Sequence, residues 1–270
     1  MTSVGPLVYL GTPEVATVPL RALVAAGHDI RLVVTGPDRR RGRGSATSPS
    51  PVAICARELG IPVAHDVDAA LDTGATLGVV VAFGQLIRPH VLERIPMINL
   101  HFSLLPRWRG AAPVERAILA GDPTTGVCVM DVVEALDQGG VRARAEVEIG
   151  SATAEELRAR LAVIGAELLV GELAVGLHPA VPQVGEVSYA RKITTEDLRI
   201  DWAAPAEVGQ RVVRVGGAWT TWRGERMRIL DARVVDGRLE PTEVQPAGRA
   251  PMPFDAWWRG ARPSPGEWFV

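Results

Sequence analysis

Met97-Ile98-Asn99-Leu100-His101-Phe102-Ser103-Leu104-Leu105-Pro106-Arg107-Trp108-Arg109-Gly110-Ala111-Ala112-Pro113 is the run around which this chain of 270 residues is organised. Its first six residues alternate as a buried strand does, with Asn99 and His101 on one face and Ile98, Leu100 and Phe102 on the other. Two polar side chains at the carboxyl end of an apolar strand are costly to bury unless something there uses them. The turn that follows is rich in Pro, Arg and Gly, and Ala111-Ala112-Pro113 opens a helix. In open parallel sheets that strand-to-helix edge is where the ligand crevice lies. An amide donor beside an imidazole suits a reaction that builds negative charge on a carbonyl oxygen while a proton moves.

Outward from this run, apolar strands alternate with helical patterns. Pro6 to Leu10 reads as a strand, Glu14 to Ala26 as a helix, and Asp29 to Thr35 as a second strand, which is how a parallel α/β sheet begins. A helix over Pro51 to Leu59, a short strand over Ile61 to Ala64 and a continuous apolar strand over Leu77 to Phe83 extend it. Arg88 to Ile95 is a short helix leading into the central strand. Beyond that strand come a helix over Pro113 to Ala120, a strand over Gly126 to Val132, and an edge strand over Val141 to Val147. Thr153 to Val175 has a 3.6-residue period and reads as a helix covering the sheet. Gly36 to Pro51 is a loop by every local signal and carries Arg39, Arg40, Arg41 and Arg43. The expected division is a catalytic domain over 1–182, a linker over 183–202, and a β-rich domain over 203–270. In the last of these a helix over Pro205 to Val215 precedes strand-like Trp219 to Trp222, Met227 to Val235 and Arg238 to Val244, then a helix around Phe254 to Arg259. Six of the seven tryptophans lie from Trp202 onward, a density that core packing explains.

Composition narrows the chemistry. Apolar residues make up 47% and charged residues 22%, an ordinary globular balance. A formal net charge of -2 gives no global signature of a nucleic-acid binder, so any RNA contact has to come from a local patch. The first turn lacks G-x-G-x-x-G and the Arg-rich loop lacks G-K-[ST], so neither is a nucleotide cradle of those kinds. The five histidines, His28, His65, His90, His101 and His178, show no zinc spacing, and no metal is expected. Cys55 and Cys128 are read as reduced, buried thiols. Without a charged and apolar leader or a membrane-length apolar run, the expected location is the cytoplasm.

Asn99-Leu100-His101, Ser103-Leu104-Leu105-Pro106, Arg107-Trp108-Arg109-Gly110-Ala111-Ala112-Pro113 and, downstream, Leu136-Asp137 resemble the folate-dependent formyltransferases. Gly11-Thr12-Pro13-Glu14, Pro37-Asp38-Arg39, Ser48-Pro49-Ser50-Pro51, Ser188-Tyr189-Ala190-Arg191-Lys192-Ile193 and Gln245-Pro246-Ala247-Gly248-Arg249 extend the resemblance along nearly the whole chain. The Arg-Trp-Arg-Gly run is most similar to the branch of that family that formylates charged tRNA. The resemblance implies a Rossmann-like, mostly parallel sheet followed by a smaller OB-like domain. It implies transfer of a formyl group from 10-formyltetrahydrofolate to the α-amine of methionyl-tRNA, without a metal. By the same resemblance Asn99 holds the formyl oxygen, His101 donates to the same oxyanion, and Asp137 orients and charge-stabilises His101. Phe83, Gly84, Gln85, Leu86 and Ile87 with Ser103, Leu104, Leu105 and Pro106 would bind the folate. Arg39, Arg40, Arg41 and Arg43 would grip the acceptor end of the charged initiator tRNA, as guanidiniums grip phosphates. A monomer is expected.

The chain departs from the family's pattern in places. Phe83 stands where Tyr is usual, Ser45-Ala46-Thr47 where lysines are common, and Gln138 and Gly140 where Thr and Asp are usual. The strand from Met227 passes through Asp236-Gly237 almost directly into the final strand, so two strands of the C-terminal barrel are expected to be missing or reduced, leaving it open. Two other readings follow. A smaller acceptor, a sugar or peptide amine, would suit a reduced barrel, and an inactive RNA-binding descendant would keep the Arg-rich loop without folate affinity.

Overall fold

The structure, a computed structural model, describes residues 4–40 and 47–270. Arg41 and Arg43 therefore lie outside the described residues. Seven strands form one sheet: β1 (Leu7–Gly11), β2 (Ile30–Val34), β3 (Val63–Ala64), β4 (Leu77–Val81), β5 (Met97–His101), β6 (Thr124–Asp131) and β7 (Val141–Glu148). Their spatial order is β7-β6-β5-β4-β1-β2-β3. β1 and β4 are buried along their whole length, as strands covered on both faces must be, and this is why they read as unbroken apolar runs. Parallel pairing sets Tyr9 beside Val33 on one side and Val79 on the other. β6 runs antiparallel to β5, and β7 antiparallel to β6.

Strand order reverses between β1 and β4, and open α/β sheets bind ligands outside the carboxyl ends of the strands at such a point. Thr12, just past β1, ties that edge together. Its hydroxyl donates to the Phe83 carbonyl at 3.2 Å and accepts from Gly36 N–H at 3.2 Å, so one side chain links the exits of β1, β2 and β4. On one face of the sheet Val8, Leu10, Leu32, Val34, Val80, Phe83 and Met97 form a buried cluster. In chain order the first helices are α1 (Thr17–Ala25), α2 (Pro51–Glu58), α3 (Pro89–Leu92), α4 (Pro113–Ala120) and α5 (Ala154–Ala174). On the other face of the sheet α5 approaches Leu100 and Val127 at Gly165, where an added Cβ would lie 2.9 Å from a Leu100 methyl.

Two segments read as irregular carry short pairings. Arg39–Arg40 runs antiparallel to Thr47–Ser48 within the Arg-rich loop. Tyr189–Ala190 runs parallel to Arg109–Gly110. Both pairings are two residues long, too short to leave a periodic pattern in sequence.

Contacts group the described residues up to Pro113 with Thr124–Glu148 and Arg158–Ala190 as one compact unit. Val114–Pro123, Ile149–Leu157 and Arg191–Val270 form the second. The second unit holds α6 (Ala206–Val215), the antiparallel strands β8 (Trp219–Trp222), β9 (Glu225–Val235), β10 (Arg238–Pro246) and β11 (Met252–Pro253), and α7 (Phe254–Ala261). β9 and β10 meet at Asp236-Gly237, both at positive φ (48° and 72°), the conformation a two-residue hairpin turn requires. The sheet order is β8-β9-β10-β11, and among the described residues β8 does not pair with β11, so this sheet is open. Trp222, Trp257, Met227, Ile229, Val244 and Phe269 fill its core, so the tryptophans there are chiefly packing residues.

Candidate active site

His101 is the last residue of β5 and is 5% exposed. Antiparallel pairing places Cys128 directly opposite it and Met130 opposite Asn99, so this face is walled by β6. Leu105 packs onto the same Cys128 and Met130. The imidazole Nε2 donates to the Trp108 carbonyl at 2.9 Å. A carbonyl only accepts, so Nε2 is the nitrogen that carries hydrogen in this contact, and Nδ1 is the one that faces the rest of the site. That nitrogen lies 3.7 Å from Asp137 Oδ2. Imidazole and carboxylate thus face one another with little solvent around them, the side chains being 6% and 13% exposed.

The carboxylate is itself held. Asp137 Oδ2 accepts from Gly110 N–H at 2.7 Å, so the turn that follows β5 grips the acid that faces the end of β5. Asn99 sits two residues before His101 on the same face, half-buried, at the register position of Val80 on β4. Three non-glycine residues in the connections leaving β4, β5 and β6 adopt positive φ: Ala82 at 47°, Trp108 at 62° and Asp137 at 50°. Such conformations cost on the order of 1–3 kcal/mol each and persist where surrounding structure imposes them. They gather at one edge of the sheet.

The other expected site residues fall around this edge in two ways. Phe83 is buried in the sheet cluster and Ile87 packs against it, whereas Leu86 is 81% exposed. Gly84 is exposed at positive φ, a conformation that glycine tolerates without strain. The Gln85 carboxamide nitrogen is buried and makes no hydrogen bond, an unsatisfied donor of the kind that ligand sites hold. Ser103, Leu105 and Pro106 are buried, and the Ser103 hydroxyl donates to the Arg107 carbonyl at 2.6 Å. Leu104 covers Gly126, and the turn is closed by Arg107 N–H donating to the Leu104 carbonyl at 3.2 Å. Arg39 is exposed, and its segment is the short pairing described above. Among the described residues no three His, Cys, Asp or Glu side chains converge as a metal site would require.

Sequence reasoning missed the residues that hold this arrangement from a distance. Gln183 donates to the carbonyls of Asp137 and Gly139, both at 2.8 Å. Arg109, only 8% exposed, forks onto Gln183 Oε1 through Nε and Nη2 at 3.1 and 2.7 Å. Ser188 Oγ accepts from Trp108 N–H at 2.9 Å, next to the carbonyl that receives His101. Gly139 is required by close approach, since a Cβ there would lie 1.9 Å from the Asp131 carbonyl oxygen.

Residues 7–173 match the family described as "Formyl transferase", and residues 192–241 match "Formyl transferase, C-terminal domain". The chain belongs to the formyl transferase family. A relative named methionyl-tRNA formyltransferase, from Rhizorhabdus wittichii, is 43% identical, with 94% of each chain covered. Another of that name, from Roseobacter denitrificans, is 41% identical over 90% of this chain and 92% of its own. Among solved structures, methionyl-tRNA formyltransferase from Clostridium thermocellum superposes with a TM-score of 0.66 at 14% identity, covering 90% of this chain and 98% of that one. At such identity the likeness concerns the fold. Within this formyl transferase, the first family segment spans β1 through most of α5 and so takes in Asn99, His101 and Asp137.

Proposed function

We propose that the chain transfers the formyl group of 10-formyltetrahydrofolate to the α-amino group of methionyl-tRNA, giving N-formylmethionyl-tRNA. The observation that carries this reading is the placement of His101 Nδ1 3.7 Å from Asp137 Oδ2 at the crevice edge of the sheet. Relatives named methionyl-tRNA formyltransferase that match across nearly the full chain support the acceptor.

The free amine attacks the formyl carbon, the carbonyl oxygen becomes an oxyanion, and collapse breaks the bond to N10 of the folate. One proton leaves the amine and one reaches N10. An α-amine titrates near ~8, so much of it is neutral at pH 7, and the enzyme needs orientation and oxyanion stabilisation more than a strong base. Asn99 donates its amide N–H to the oxyanion. Because Nε2 of His101 is committed to the Trp108 carbonyl, the donor it offers is Nδ1–H of an imidazolium, whose charge Asp137 balances. The buried, unpartnered amide nitrogen of Gln85 suits the polar edge of a folate ring, with Phe83 to Ile87 and the turn Ser103 to Pro106 forming the wall. One relative in fold, a sugar 3N-formyl transferase solved in the presence of dTDP and 5-N-formyl-THF, superposes with a TM-score of 0.63 at 13% identity, over 93% of this chain and all of its own. Arg39, Arg40, Arg41 and Arg43 contact phosphates of the acceptor end. The chain acts as a cytoplasmic monomer.

The open C-terminal sheet favours one other acceptor, a small sugar or peptide amine. Formyl transfer from 10-formyltetrahydrofolate is therefore compared on charged initiator tRNA and on an amino sugar. Turnover on the tRNA at least about 10²-fold above the sugar is expected, the scale at which recognition of a built acceptor separates substrates. Equal or reversed rates would overturn the assignment, and absent folate binding would point to an inactive relative.

A further inference from the structure

We propose that Gln183 is a positioning residue that fixes Asp137 in the geometry His101 requires. The proposal rests on the reading of Asp137 as the partner of His101. All four hydrogen-bonding functions of the Gln183 carboxamide are used in one direction. Its two N–H groups go to the Asp137 and Gly139 carbonyls at 2.8 Å each, and its oxygen receives the Arg109 fork at 3.1 and 2.7 Å. Donors at one end and an acceptor at the other are what an amide offers and a carboxylate does not. The load at this point is specific. Asp137 sits at a φ of 50°, a conformation its own chain disfavours, so its backbone needs an outside hold. The carboxylate is gripped separately by Gly110 N–H, the neighbour of the same Arg109. Backbone and side chain of Asp137 are therefore both registered to one dipeptide, Arg109-Gly110, with Gln183 as the link on the backbone side.

The segment carrying Gln183 is anchored at both ends. Val181 exchanges two backbone hydrogen bonds of 2.8 Å with Val141 at the start of β7. Ser188 receives Trp108 N–H through its hydroxyl and Arg109 N–H, at 2.9 Å, through its carbonyl. A stretch that carries no chemistry of its own thus spans from the Asp137 loop to the turn whose carbonyl holds His101.

Two substitutions separate positioning from stability. Gln183→Glu keeps an oxygen for the Arg109 fork but loses both donors to the Asp137 loop, and Gln183→Leu loses everything. Formyl transfer from 10-formyltetrahydrofolate to methionyl-tRNA, thermal melting, and ¹⁵N signals of the His101 ring are measured for both and for Asp137→Asn. Expected for Gln183→Glu is a chain that still melts cooperatively, at a lower temperature than wild type because two carbonyls lose their donor, with kcat lower by about 10–100-fold, KM for either substrate changed less than about threefold, and His101 ring signals moved toward those of Asp137→Asn. Gln183→Leu should lose kcat to a similar degree. If kcat stays within about twofold of wild type in both Gln183 variants while Asp137→Asn is impaired, the proposal fails and the reading of the site stands. Wild-type turnover in Asp137→Asn would instead remove the reading itself, and the proposal with it.

Discussion

His101 has one nitrogen already spent, and this is the residue-scale fact from which the chemistry follows. With Nε2 donating to the Trp108 carbonyl, Nδ1 is the nitrogen that faces the site, and opposite it stands an acid that a backbone N–H holds in place. Asn99 lies on the same face of the strand and is proposed as the second donor. Replacing Asn99 by Ala is expected to lower kcat on the order of 10²–10³-fold with folate affinity little changed, the usual effect of removing one oxyanion donor. Steady-state formylation with a separate folate titration checks this, and unchanged kcat would show that the oxygen is held elsewhere. The sequence singles out Asn99, His101 and Asp137 because each stands in a short run whose pattern is local, and the structure brings the last two together. Gln183 was not. Its partners lie 46 and 74 residues away in the chain, and a lone polar residue in an irregular segment has no periodicity to mark it. Arg109 stood within the organising run, yet its guanidinium gave no sign that it reaches Gln183.

At the scale of the element, the strands were legible because burial on two faces demands unbroken apolar sequence, and β1 and β4 meet that demand fully. The helix opening at Pro51 was legible for another reason. Pro51 stands at its first position, and Ser50 caps it by accepting Ala53 N–H at 2.9 Å. In the second unit, α4 (Pro113–Ala120) is tied to the start of the C-terminal stretch by Arg116, which forks onto Asp197 at 2.8 and 2.9 Å and donates to the Arg191 carbonyl at 3.0 Å. The guanidinium and the Thr194 N–H hold the Asp197 carboxyl well below its ordinary value of 3.8. A depressed carboxyl contributes stability above the unfolded-state pKa and loses it as pH falls. Asp197→Asn should therefore lower the denaturation midpoint at pH 7, with the difference from wild type shrinking as pH drops below about 4. Urea titrations at several pH values measure this, and a difference independent of pH would contradict it.

At the scale of the whole molecule, each unit has its own core. That of the second unit sets an aromatic cluster among aliphatic side chains. Trp222 meets Trp257, Trp258 and Phe269 with ring centroids 5.3, 5.2 and 5.7 Å apart, all at steep interplanar angles. Trp222→Ala should cost about 3–5 kcal/mol by urea denaturation, as large-to-small changes in packed cores do, and a loss under about 1 kcal/mol would show that this cluster is not structural. Tryptophan density in the sequence announced a core but not its extent. Which aromatic rings meet depends on pairings between strands and on the final residues, where Val270 and Thr221 exchange backbone hydrogen bonds of 3.0 Å. The first unit is built to bring the carboxyl ends of β4 and β5 and the loop that follows the antiparallel β6 to one edge, and everything proposed for the reaction depends on what His101 does there.

The most direct test of that role is single-turnover transfer of labelled formyl from 10-formyltetrahydrofolate to methionyl-tRNA by the wild-type chain and by His101→Asn, with folate and tRNA binding measured alongside. The account predicts a rate lower by at least about 10²-fold in the variant, with both substrates still bound. A wild-type rate in His101→Asn would contradict it.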